Sequence, residues 1–74
     1  MTTSTTLSNA DKLNIINQHL KGIDFSVYGL QLDLLIENAA TEPSEDVLDS
    51  INARLTSLFS KRSVLLEEAA PLSE

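Results

Sequence analysis

His19 is the only histidine in the chain, and cysteine is absent. A metal site needs several nitrogen, sulfur or oxygen ligands converging on one point. His19 has no such companions and falls beside an apolar stripe, so it reads as a structural or partly exposed residue. Asp33 and Glu37 stand one helical turn apart and could chelate a cation between them. Paired carboxylates are common on an acidic helix, however, and the inward Glu-x-x-His pairs of metal-binding bundles are missing. Serine and threonine are abundant, yet there is no Ser/His/Asp grouping and no Gly-x-Ser-x-Gly elbow. Gly22 and Gly29, seven apart, make no phosphate-cradling loop. The chain reads as a non-enzyme with no cofactor, no metal and no small-molecule substrate.

The charges narrow the partners. Eleven acidic residues against five basic ones give a net charge of −6, which opposes contact with phosphates, so no nucleic acid is expected. Lys61-Arg62 is the only basic pair. The polar faces are acidic and lack flanking lysines, so no membrane surface is expected either. No uninterrupted apolar run exceeds three residues, as at Leu34-Leu35-Ile36, far below the ~20 of a membrane helix. The leader Met1-Thr2-Thr3-Ser4-Thr5-Thr6 carries no basic side chain and reads as neither a secretory signal nor a transit peptide. Without cysteine nothing hints at an oxidising compartment, and the expected location is cytoplasmic. Glu37, Glu42, Glu45, Asp46 and Asp49 gather at one place in the chain. They serve either as capping and solubilising charge or as an acidic tip that steers a basic partner. A stronger version makes the whole rod a decoy for DNA. The middle of both periodic segments is poor in acids, which weakens that version.

The elements that position these residues follow from apolar spacing. Leu13, Ile16, Leu20, Ile23, Val27, Leu30 and Leu34 recur at intervals of three and four, the a/d seam of a coiled coil. Leu48, Ile51, Leu55, Leu58, Arg62, Leu65, Ala69 and Leu72 repeat the pattern, with Arg62 as the one polar member. The Thr/Ser composition predicts a disordered leader over 1–7, and the spacing an α-helical hairpin over 8–70. Within it, helix one spans about 9–40, the turn 41–44 and helix two about 45–70, before a tail over 71–74. Ser8 and Ser44 are suited to cap the two helices. Pro43 and Pro71 should end them. Residues 23–34 also alternate locally as strands do, so a β-hairpin is the competing reading there, but neither glycine sits in a favoured two-residue loop.

Two helices of about 45 and 40 Å joined by a four-residue turn fold back antiparallel. That register pairs Leu34 with Ile51, Leu30 with Leu55, Val27 with Leu58 and Leu20 with Leu65. Ile23 then faces Arg62, and Asp24, one position off the seam, should contact the arginine head.

Helix one has a second apolar stripe. Phe25, Tyr28, Leu32, Leu35 and Ala39 repeat the three-four spacing, joined by Ile36, on the side nearly opposite the seam. Phe59 and Leu66 merely widen the single stripe of helix two. A helix apolar on two sides is normally buried on both, whereas one partner helix covers only one. The expected fold class is therefore all-α: an antiparallel two-helix coiled-coil hairpin that dimerises into a four-helix bundle, with Phe25, Tyr28, Leu32, Leu35 and Ile36 binding a partner. That partner is a second copy, a larger protein, or both. The competing reading bends helix one at Gly29 so that both stripes wrap around helix two. A lone molecule with Phe25, Tyr28, Leu32 and Leu35 standing bare would count against the interaction reading, as would extended ribbon over that stretch.

Asn17-Gln18-His19-Leu20-Lys21, followed by Tyr28 through Ala39 (YGLQLDLLIENA), is similar to small uncharacterised hairpin proteins of tailed phages infecting marine cyanobacteria. In those, a leucine-rich first helix ending in a Glu-Asn-Ala-like segment meets a short Pro-containing turn and a second coiled-coil helix. The likeness covers about residues 13 to 60, and any leucine-rich hairpin would share its motifs. It implies an accessory phage protein and transfers no functional residue. The expected role is non-enzymatic protein–protein interaction in assembly, as a virion accessory or as an adaptor. The alternative is an acidic inhibitor occupying a basic surface of a host protein.

Overall fold

The first helix, α1, occupies Asn9–Asn38, and the second, α2, Glu45–Ala69. A short 3-10 turn over Ala70–Ser73 follows α2 in this computed structural model, which describes residues 7 to 73. The two helices pack against each other along their length. The molecule measures 60 × 22 × 15 Å, a rod two helices wide and one helix thick. No strand occurs among the described residues, so the alternating stretch at residues 23–34 is helical. Apart from Leu7, the predicted leader lies outside the described residues.

Each helix starts on a serine. The Asp11 N–H donates to Ser8 Oγ at 3.1 Å, and the Val47 N–H donates to Ser44 Oγ at 3.3 Å. Caps of this kind contribute about 1 kcal/mol each by satisfying amides that have no partner within the helix. The ends depart from the sequence reading. α1 stops at Asn38 instead of Ala40 because its last turn tightens: the Ala40 N–H bonds Glu37 O, three residues back, at 3.1 Å. The connection is thus six residues long, from Ala39 to Ser44, and needs no left-handed residue.

At the other end Pro71 breaks the α-helix but does not release the chain. Its missing N–H ends the i→i−4 ladder, while its fixed φ suits a 3-10 turn. That turn carries Leu72, the last seam residue, half-buried beside Lys12, Ile15 and Ile16. The Ser73 hydroxyl closes it on Ala69 O at 3.1 Å. The predicted tail is, through Ser73, part of the hairpin.

The core is the seam and little else. Ile16, Ile51 and Leu55 are each only 8% exposed. Leu13, Leu20, Ile23, Val27, Leu30, Leu34, Leu48, Leu58, Arg62, Leu65, Ala69 and Leu72 are half-buried. Every seam position read from the spacing thus lies in the interhelical layer, since side chains at those positions alone face the neighbouring helix. Glu37 and Ser44 are half-buried too, extending the layer into the turn.

Candidate interaction surface

At the centre of the rod Arg62 lies in the seam and sends its head to the edge. Its Nε donates to Asp24 Oδ1 at 3.0 Å, the predicted pair, with side chains 39% and 56% exposed. An ion pair this open to solvent contributes at most about 1 kcal/mol. Its main effect is on register, because a slip by one heptad would strand the arginine among leucines.

The acidic tip is only partly free. Glu37 Oε2 accepts the Ser44 N–H at 2.8 Å. In a capping box the third helical residue supplies a carboxylate to the N-cap amide. The third residue of α2 is Val47, which has none, so Glu37 reaches across the turn from α1 and fills that role. This also removes Glu37 from the chelating pair considered with Asp33. The signal was present in the sequence: Glu37 follows Leu34 by three and continues the seam toward the start of α2. Glu42, Glu45, Asp46 and Asp49 stand exposed around it. His19 is exposed on α1, beside the seam.

The second stripe is uncovered. In the single hairpin Phe25 is 68% exposed, Tyr28 63%, Leu32 40%, Leu35 66% and Ile36 70%. The reading in which α1 bends to bury both stripes against α2 is therefore corrected: α1 continues as one helix through both glycines, and its second stripe stays outward. Extended ribbon is excluded as well. The bare stripe meets the first half of the condition set against the interaction reading. The second half is whether the molecule remains alone in solution.

Phe59 and Leu66 of α2, read as part of its single seam, are half exposed at 50% and 45%. They follow Leu58 and Leu65 by one residue, as Asp24 follows Ile23, so heptad register places them on the Asp24 edge of the hairpin. Tyr28 and Leu35 adjoin that same edge. The apolar area thus spans both helices along one side. The opposite edge is a shallow polar groove lined by Ser26, Asp33, Arg54, Ser57 and Lys61. At one end of the stripe the Lys21 ammonium stands 6.0 Å from the Phe25 ring centroid, near the limit of an attractive cation–π contact.

The total surface is large for so small a chain. The accessible surface is 5520 Å², where a compact monomer of 8.1 kDa would show about 4500 Å². The excess of about 1000 Å² belongs to a rod one layer thick. The glycines beside the stripe add to the puzzle. Each costs about 1 kcal/mol relative to alanine in a helix, neither has positive φ, and a Cβ at either would meet nothing within 4 Å. The hairpin itself has no use for them.

No described helix is long and apolar enough to cross a membrane. The chain matches no protein-family model, no curated protein and no solved structure.

Proposed function

We propose that this chain is a non-enzymatic interaction module that associates with protein through the apolar stripe of α1. The stripe comprises Phe25, Tyr28, Leu32, Leu35 and Ile36, and it either joins two copies into a four-helix bundle or docks the hairpin on a larger protein. One observation carries the reading: five large apolar side chains stand together in solvent on a helix whose other side already holds the core. Surfaces of this kind are where soluble proteins bind one another. The resemblance to phage hairpin proteins supports an accessory, assembly or adaptor role in the host cytoplasm or the virion.

The acidic tip supports a second reading, an inhibitor that occupies a basic surface of a host protein. Glu42, Glu45, Asp46 and Asp49 are exposed for such contact, whereas Glu37 is engaged in the turn. The double substitution Phe25→Ser with Leu32→Ser separates the two. Loss of the oligomer or partner with helicity retained in circular dichroism supports the stripe. Binding that survives the substitutions and vanishes at high salt supports the tip.

A further inference from the structure

We infer that the occupant of the stripe is a second copy of this chain, with the two α1 helices antiparallel across a twofold axis near the middle of the stripe. The inference rests on the stripe being an interface, and adds which partner covers it and in which direction.

Three observations converge. In the heptad frame set by the seam, the outward positions b, c and f from Gly22 to Ala39 hold Gly22, Phe25, Tyr28, Gly29, Leu32, Leu35, Ile36 and Ala39. These positions normally face water in a two-helix hairpin, yet none of the eight is charged. Such a run presents to a neighbour what the seam presents to α2, so a second helix of the same kind fits it. The glycines alongside, which nothing within the hairpin requires, let another helix approach closely and receive its large side chains. Phe25, Tyr28, Leu35 and Ile36, each at least 63% exposed, give that neighbour a cluster of large apolar side chains to bury.

Direction follows from charge. Six of the eleven acidic residues lie between Asp33 and Ala53 and no basic residue does. The turn end therefore carries the whole net charge of −6, and the rest of the chain is neutral. Lys21, Arg54, Lys61 and Arg62 all fall around the middle of the rod, where the Asp24–Arg62 pair fixes the level of the two helices. A parallel dimer would set two acidic tips side by side. In the antiparallel dimer, centred between Tyr28 and Leu32, residue 39 of one chain lies level with residue 21 of the other. Each acidic tip then lies level with the other copy's Lys21, which stands beside Phe25 at the end of the stripe, an attraction in place of a repulsion. A twofold contact between identical faces also closes after two copies.

The absence of cysteine makes the test direct. Gln18→Cys and Ala39→Cys place thiols on the outward face near the two ends of the stripe, about 4.5 Å from level with each other across the antiparallel dimer and so within one helical turn. The full-length variants are oxidised singly and as a mixture, beside sedimentation of the parent chain. The expected result is a parent mass of two chains and, in the mixture, a disulfide joining the Gln18→Cys chain to the Ala39→Cys chain. The Ala39→Cys variant alone should stay uncrosslinked, because in the antiparallel dimer its two thiols are about 27 Å apart. Efficient crosslinking of the Ala39→Cys variant with itself would overturn the direction. A parent mass of one chain at high micromolar concentration would overturn the second copy as occupant, while leaving docking on a larger protein in place. A two-chain mass that persists in the Phe25→Ser, Leu32→Ser variant would overturn the stripe as interface altogether. Gly29→Ala supplies an independent readout: it should raise helicity at dilution yet weaken the dimer about tenfold or more. An unchanged or tighter dimer would overturn the close approach.

Discussion

Truncating one leucine in the seam and one in the stripe, at two protein concentrations, separates what the hairpin needs from what its partner needs. Leu55 is 8% exposed, and Leu→Ala at a buried site costs about 2–5 kcal/mol. The seam is a single layer open to water along both edges, so its walls can relax and the lower end applies, about 2–3 kcal/mol. A domain of this length has about 4–11 kcal/mol of stability in all, and a core this thin belongs at the bottom of that range. Leu55→Ala should therefore remove roughly half of it at any concentration. Leu35 is 66% exposed and faces away from the seam, so in an isolated hairpin Leu35→Ala should cost about 1 kcal/mol or less. If a second copy covers the stripe, two leucines per dimer are truncated, and the cost at high concentration should rise to about 2–4 kcal/mol. Urea melts followed by far-ultraviolet circular dichroism, at about 1 μM and about 500 μM, read both effects. A Leu35→Ala penalty that does not change with concentration would refute self-association through the stripe. A Leu55→Ala penalty below about 1 kcal/mol would refute the seam as the core.

Arg62→Leu completes the seam and should stabilise the hairpin by about 1–2 kcal/mol, read as a higher urea midpoint; a lower midpoint would show that the pair with Asp24 outweighs burial. Asp24→Ala should cost less than about 1 kcal/mol, with the loss shrinking in molar salt. Glu37→Ala leaves the Ser44 amide without its acceptor and should cost about 1–2 kcal/mol, more than Glu42→Ala, which the same thermal melts compare. Ser44→Ala should cost about 1 kcal/mol, and hydrogen exchange should locate that loss at the start of α2.

The sequence by itself determined the two helices, their caps and the seam, because a three-four repeat of apolar residues is a local property that the helical period turns directly into a face. Even the Asp24–Arg62 pair followed, since antiparallel packing about a short turn leaves one register that keeps leucine against leucine. Helix ends were less legible: α1 stops at Asn38 because its last turn tightens, with the Ala40 N–H on Glu37 O, a backbone choice that side-chain periodicity does not encode. The 3-10 turn over Ala70–Ser73 is similar, since Leu72 gains its packing from the start of α1 at the far end of the chain. Tertiary structure alone decided the state of the second stripe. Spacing placed Phe25, Tyr28, Leu32, Leu35 and Ile36 on one side of α1. A helix continuous through both glycines, which gives α2 access to one face only, is what left that side exposed.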